Sequence, residues 1–372
     1  MTFQKNAGAV RRFAKLLKFA GWLQNLPHKL TPAPFRLMQI GSAFWQSRVL
    51  HVAARLDIAT TLGENSLSAD TLAERVSVQP QALFRLLRML AAMGVFEEVS
   101  PGVFRNNALS TCLREDRPKN VRAMILMHNS PEMSLPWLEQ LEHGVRTGAV
   151  PFQVVHGHEL YAYMDHHAGF DALFARAMDS VEALAGDSFA TDFDWGRFER
   201  IIDVGGSKGS KSLAILKRHP QLKALVFDRE QVVSTAKDYW NGKEPPELLN
   251  RLTWQAGDLL AGVPAAQGKQ DIYLLCGVLH GMDDDTCVQA LRRLAQAVGS
   301  TGARVAVMEV VVPSVKADLS NASFDMQMFM ATRGKERTLR EWQQLFERAG
   351  WTLEEQVGLQ SLGAILVLKT RL

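Results

Sequence analysis

Cysteine is scarce in this 372-residue chain: Cys112, Cys276 and Cys287 are its only three. Their separations match neither a zinc ligand set nor a disulfide framework, which points to a reducing, cytoplasmic setting and a site without metal. No uninterrupted apolar run is long enough to cross a bilayer, so no membrane partner is expected. The N-terminus lacks the apolar core of a signal peptide. A net charge of +3 is too small an excess to argue for nucleic acid. What is present, 47% hydrophobic against 22% charged residues, is the balance of a globular protein long enough for two domains with sizeable cores.

The first stretch sets Arg11, Arg12, Lys15 and Lys18 among Phe13, Leu16, Leu17 and Phe19. A basic amphipathic helix of this kind suits a targeting segment, a membrane surface or a dimer-forming arm; the arm is the expectation. Pro27, Pro32 and Pro34 are expected to break it. Residues 35–63 read as helix, with an apolar face of Leu37, Ile40, Phe44, Val49, Val52 and Leu56. A short helix over 68–76, a second over 80–93 and a hairpin through Ser100-Pro101-Gly102 follow. Helix, turn, helix and hairpin describe a winged helix, which raises a DNA-binding regulator as an alternative. A recognition helix presents base-reading and phosphate-binding side chains. Here Arg85 and Arg88 stand amid Leu83, Phe84, Leu86, Leu87, Met89 and Leu90, the composition of a packing helix.

Residues 120–195 read as helical and methionine-rich. Such stripes are more often core than pocket, although methionine also suits pockets for flat ligands. His156, His158, His166 and His167 cluster here, but no cysteine or carboxylate completes a metal shell at familiar spacing.

Residues 199–209 read Glu-Arg-Ile-Ile-Asp-Val-Gly-Gly-Ser-Lys-Gly, and Asp228 follows. Ile201 and Ile202 look like a buried strand, and Gly205, Gly206 and Gly209 let the backbone turn tightly against a ligand. A helix over 210–219 and a strand over 223–227 complete a βαβ unit, with Asp228 placed to take both hydroxyls of a ribose. The order fits the dinucleotide fingerprint poorly. It resembles instead the glycine motif of S-adenosylmethionine (SAM) methyltransferases, in which Asp203 would accept from the amino group of the cofactor. Further strands are expected over 252–258, 272–280 and 303–313, with helices over 284–298, 320–331 and 338–349. Two last strands, 351–359 and 364–370, should pair antiparallel across a short Gln-Ser-Leu-Gly turn. Strand ends carry the ligands of an open α/β sheet, and these end in Gly257-Asp258-Leu259, in His280 and near Glu309.

Asp-Val-Gly-Gly, Gly-Asp-Leu, Val-Leu-His with Asp283-Asp284, and Gly-Lys-Glu-Arg-Thr ahead of Glu341-Trp342 stand in the order and spacing of one family. Over residues 40 to 370 the chain resembles the SAM-dependent O-methyltransferases with a winged-helix dimerisation domain, which include hydroxyindole, plant caffeate and bacterial antibiotic or phenazine enzymes. The resemblance implies an α/β class I methyltransferase fold, a Rossmann-like sheet with a terminal antiparallel hairpin, behind a helical winged-helix domain. Three parts are expected: 1–115 as arm and dimerisation domain, 116–195 as a helical connector lining the substrate pocket, and 196–372 as the SAM-binding domain. A homodimer is expected, with no nucleic acid partner.

The resemblance further implies His280 as general base, with Glu309 and Glu336 as the acids that orient it. Asp203, Gly205, Gly206, Ser207, Gly209, Asp228, Arg229, Gly257, Asp258, Leu259 and Cys276 would form the cofactor site. Met127, Phe174, Met178, Phe324 and Met328 would line the pocket of a small aromatic acceptor. Full deprotonation of a phenol of pKa near 10 by an imidazole near 6.5 costs about 5 kcal/mol, so proton removal should accompany transfer or the site must lower the phenol's pKa. The chain departs from the pattern at Ser207, at Cys276 and at Gly281-Met282, where the family has Gly, Lys and Asp-Trp. O-methylation is the leading expectation. N- or C-methylation of a heteroaromatic compound, and a SAM-binding enzyme that does not methylate, are the alternatives within the fold.

Overall fold

A computed structural model describes residues 2–361 and 363–371. The chain forms two compact units, residues 2–19 with 187–371, and residues 20–186.

The first unit is built on a seven-stranded sheet. Its order is Trp351–Gly358, Ala364–Thr370, Arg304–Glu309, Asp271–Cys276, Arg200–Val204, Lys223–Asp228, Leu252–Ala256. Ala364–Thr370 runs antiparallel to both neighbours, and the other pairings are parallel. The expected terminal hairpin is therefore present; Leu362, in its turn, lies outside the described residues.

Alternation along the strands feeds two apolar layers. Ile201, Ile272 and Leu274 pack on one face with Leu213 and Leu216 of the helix Ser210–Arg218. Ile202, Tyr273 and Leu275 pack on the other with Leu291, Trp342 and Phe346 from the helices Asp284–Val298 and Leu339–Arg348. Both of those helices start at a side-chain cap. Asp283 Oδ1 accepts from the Thr286 amide at 2.8 Å, and Thr338 and Glu341 form a reciprocal capping box.

Residues 2–6 strap the edge of this unit. Phe3 is buried and stacks on Phe193 and Phe198, with the Arg197 guanidinium over its ring. The Phe3 amide donates to Glu355 at 2.7 Å, and Gln4 makes two hydrogen bonds with the Gly358 backbone. Asn6 and Gln360 both donate to the buried Asp192 carboxylate. Residues 2–19 group with the sheet and not, as expected, with the rest of residues 1–115.

The second unit carries the winged-helix elements. Helices Ala69–Arg75 and Pro80–Ala92 lie, along the chain, between the first and second strands of a three-stranded antiparallel sheet of order Ser66–Ser68, Val103–Asn106, Phe96–Ser100. Leu83, Leu87 and Leu90 of the second helix are buried, as a packing helix requires. The region after it is a chain of short helices followed by Ala168–Ala185.

Several boundaries differ from expectation. Pro27 lies inside the helix Ala7–Leu30, which ends before Pro32. The expected helix over 35–63 divides into Ala33–Arg55 and Ile58–Leu62, because Asp57 takes a left-handed conformation and its side chain accepts from Thr60. Leu37, Ile40 and Phe44 are 71%, 60% and 54% exposed. Among the described residues no helix is long and apolar enough to cross a membrane.

Candidate active site

The glycine loop follows Arg200–Val204 directly. Asp203 is fully buried beneath it and accepts from the Ser212 hydroxyl at 2.7 Å. A Cβ at Gly206 would come within 2.5 Å of the Asp203 carboxyl carbon, so glycine there is needed for the loop to close over the carboxylate. This corrects the expectation that Asp203 reaches the ligand: its placement is that of a brace under the loop.

Ser207 adopts φ 53°, the left-handed region that glycine would occupy more easily. Its amide donates to Asp228 Oδ2 at 2.8 Å, and the Arg229 amide donates to Oδ1 at 2.7 Å. The Asp228 carboxylate is thus fixed at the strand end with one lone pair on each oxygen still available. The Gly257 amide donates to the Asp228 carbonyl at 2.9 Å, which sets the next strand end alongside. Asp258 is exposed, with Oδ1 accepting from the Leu260 amide, and Leu259 is half-buried against the apolar layer. Cys276 ends the neighbouring strand and pairs with Met308. Backbone loop, ribose-type carboxylate, second carboxylate and apolar cover are the donor set that SAM requires, so these residues fit that cofactor.

His280 does not end a strand, as had been expected. The strand stops at Cys276, and a tight turn, Leu279–Gly281, carries the imidazole. Similarly, the strand expected over 303–313 stops at Glu309, and Val311–Val312 leaves to pair with Arg337–Thr338. These two breaks bring three ionisable groups together. His280 Nδ1 lies 2.8 Å from Glu336 Oε1 and 3.9 Å from Glu309 Oε2. Glu309 Oε1 accepts from the Val278 and Leu279 amides at 3.0 and 2.9 Å, so this buried acid caps the turn and acts on the ring through space. Glu336 is the direct partner. Its backbone amide donates to Asp325 Oδ1 at 2.8 Å.

Burial works against charge on His280, but the Glu309 and Glu336 carboxylates outweigh it and lift the imidazole from near 6.5 to about 9. Burial raises the pKa of Glu309. In the neutral ring, with Nδ1–H given to a carboxylate, the lone pair sits on Nε2, which has no hydrogen-bond partner among the described residues. The ring of Phe324 lies 5.6 Å from the imidazole, and Met328 is one turn further along the same helix, Leu319–Ala331.

The other expected pocket residues, Met127, Phe174 and Met178, belong to the second unit. Phe174 and Met178 are half-buried one turn apart on Ala168–Ala185. Met127 is fully buried, which corrects it to a core residue. Among the described residues no group of three or more histidines, cysteines and carboxylates is placed to hold a metal ion. Asp325, Gly334 and Arg337 also stand at this site and were not among the expected residues, although Gly334 and Arg337 lie within the Gly-Lys-Glu-Arg-Thr motif.

A mostly parallel sheet with a terminal antiparallel hairpin, carrying this glycine loop and Asp228, is that of a class I methyltransferase. The chain belongs to the O-methyltransferase family: residues 137–352 match the O-methyltransferase domain, and residues 38–116 match the O-methyltransferase dimerisation domain. It is a SAM-dependent methyltransferase.

Among its relatives is the phenazine O-methyltransferase PhzM of Lysobacter antibioticus, 29% identical over 86% of this chain and 91% of the relative. The mitomycin biosynthesis 6-O-methyltransferase of Streptomyces lavendulae is 32% identical over 84% and 87%. N-methyltransferases match as well, such as the phenazine-1-carboxylate enzyme of Pseudomonas aeruginosa, 28% identical over 87% and 93%. The solved structure of LaPhzM superposes with a TM-score of 0.84 at 27% identity, covering 91% of this chain and all of the other. That of NcsB1, an O-methyltransferase of neocarzinostatin biosynthesis in complex with SAM and a hydroxynaphthoic acid, gives 0.74 at 28% identity over 87% and 96%.

Proposed function

We propose that the enzyme methylates a hydroxyl group of a small aromatic or heteroaromatic metabolite, with His280 as general base. The observation that carries this reading is the 2.8 Å contact between His280 Nδ1 and Glu336, which leaves Nε2 to receive a proton. When bound, SAM supplies an electrophilic methyl group on a sulfonium. The chain's own task is to make the acceptor nucleophilic. An ordinary imidazole falls about 5 kcal/mol short of deprotonating a phenol, whereas one at about 9 falls short by only about 1.4 kcal/mol. The two acids therefore make the neutral ring, which is the active form only as pH rises through its pKa, a stronger base, and Glu336 holds the tautomer and stabilises the imidazolium that forms.

For the cofactor, Asp228 would bind the ribose hydroxyls and Asp258 the adenine amino group. Leu259 would cover the ring, with Arg229 and Cys276 lining the site. The backbone of Gly205, Gly206, Ser207 and Gly209 would hold the amino-acid end. Phe324 and Met328 would flank the acceptor ring beside His280. N-methylation of a nitrogen heterocycle is the second reading, favoured by the N-methyltransferases among the relatives; His280 would again take the proton. The exposed Ile40 and Phe44 within the segment matching a dimerisation domain support a homodimer. A monomer by light scattering would remove that part.

The functional reading is tested by incubating the protein with methyl-labelled SAM and a panel of hydroxylated phenazines, naphthoates and quinones, with the methylated atom identified by NMR. Labelled aryl methyl ethers are the expected product. Label found on nitrogen alone would replace the first reading with the second. No label on any acceptor, with SAM bound, would refute both.

A further inference from the structure

The turn that presents His280 is held from both sides. Glu309 takes the two amide hydrogens at its start, from Val278 and Leu279. Its carbonyls point the other way, to Arg337. This side chain is wholly inaccessible to solvent. Its Nη1 donates to the Leu279 carbonyl at 3.2 Å and to the Lys335 carbonyl at 3.3 Å, and Nη2 donates to the Met282 carbonyl at 2.8 Å. Nε and Nη2 both reach Asp284 Oδ1, at 3.1 and 2.8 Å. The guanidinium carbon stands 5.1 Å from the Trp342 ring centroid.

One planar group thus bridges Leu279 and Met282, which flank His280, and the Lys335 carbonyl beside Glu336. The bonds to Leu279 and Met282 span the imidazole's attachment point. Gly334 closes the same contact from the far side, since a Cβ there would come within 1.8 Å of the His280 carbonyl oxygen. Cys287 Sγ also donates to the Leu279 and Met282 carbonyls, at 3.2 and 3.7 Å, but as a weak, uncharged donor it does not reach across to Lys335 as the guanidinium does.

We propose that Arg337 is a positioning residue for the base: its guanidinium sets the His280 turn and the Glu336 loop in register, so that Nδ1 meets Oε1 and Nε2 faces the acceptor. A lysine cannot do this. It keeps the charge, but a single ammonium cannot serve three carbonyls and a carboxylate across a plane. The proposal rests on His280 acting as base, and its test reads the imidazole itself, so that failure of one is distinguishable from failure of the other.

The experiment is NMR of protein carrying ¹⁵N-labelled histidine, in wild type, Arg337→Lys and Asp284→Asn, with the His280 signals assigned by their loss in His280→Ala. Calorimetric titration of S-adenosylhomocysteine into each variant checks that the cofactor site survives. The groups that face the ring are Glu309 and Glu336 as acids and Arg337 as cation; Arg337→Lys leaves their charges unchanged. The expected result is loss of the strongly deshielded Nδ1–H signal and about tenfold or greater weakening of proton binding at His280 in Arg337→Lys, with S-adenosylhomocysteine affinity within about threefold of wild type. An unaltered imidazole spectrum and titration in that variant would overturn the proposal and leave Arg337 as a packing group of the helix Leu339–Arg348. Should Arg337→Lys fail to fold, Asp284→Asn is judged by the same two outcomes. Wild-type turnover in His280→Ala would instead remove the base while leaving the positioning result standing.

Discussion

Glutamine in place of Glu336 isolates what the direct partner does for His280. The lift from near 6.5 to about 9 corresponds to about 3.4 kcal/mol in favour of the imidazolium. Burial and Arg337 oppose it, so the two carboxylates supply more than that sum. Glu336 is the closer, at 2.8 Å against 3.9 Å. The amide keeps an oxygen that can accept from Nδ1, but it removes the charge. It also places an NH₂ where Glu336 Oε2 now has no partner among the described residues, a buried unsatisfied donor worth about 1–3 kcal/mol. The base is active only when neutral, so kcat/KM rises with pH through its pKa. In wild type that rise should centre near 9 in the free enzyme. In Glu336→Gln it should move down by about one pH unit or more, and the high-pH plateau should fall about tenfold or more, because the neutral imidazole is then a weaker base without a charged partner. The assay is the pH dependence of methyl transfer to whichever acceptor the screen identifies. An ascending limb that stays near pH 9 in the variant would refute the electrostatic account of the dyad.

Three further outcomes follow from the geometry. Asp228→Ala should weaken S-adenosylhomocysteine binding by about tenfold or more, since a charge-assisted ribose contact is worth about 1.5–3 kcal/mol; equal affinity by calorimetry would sink the ribose assignment. Ser207→Gly should stabilise the fold by about 0.5–1 kcal/mol in urea titration: relief of a left-handed residue gains about 1–2 kcal/mol, and the freer unfolded chain gives back part of it. A loss of stability would mean that φ 53° is not strained. Phe3→Ala should cost about 3 kcal/mol, because the ring is buried between Phe193 and Phe198; unchanged stability would show that the strap does not hold the sheet unit in solution.

Much of the sheet was legible because its signals are local. Apolar runs such as Ile272–Leu275 sit in strands buried on both faces. Asp228 could be placed from its distance after the glycine loop alone. What escaped was set by contacts distant in sequence. Nothing before Cys276 says that the strand stops there. It ends where the Glu309 carboxylate, 31 residues on, takes the amides of Val278 and Leu279.

Asp203 looked like a ligand because acidic residues at strand ends often are, but its pairing with Ser212 is invisible until the helix folds back. Pro27 looked like a breaker, yet it lies inside Ala7–Leu30 and its carbonyl still accepts from Thr31 at 3.1 Å. Phe3 carried no pattern at all, since its partners stand some 190 residues away. Arg337 was in plain view within Gly-Lys-Glu-Arg-Thr, but only the folded turn reveals which carbonyls it serves.

The central claim is that His280 removes the acceptor's proton. The most direct measurement is the single-turnover rate of methyl transfer by His280→Ala at saturating SAM, beside wild type, with S-adenosylhomocysteine affinity measured on the same samples. The account predicts a rate lower by about a hundredfold or more, with affinity nearly unchanged. A variant that transfers methyl at the wild-type rate would contradict it.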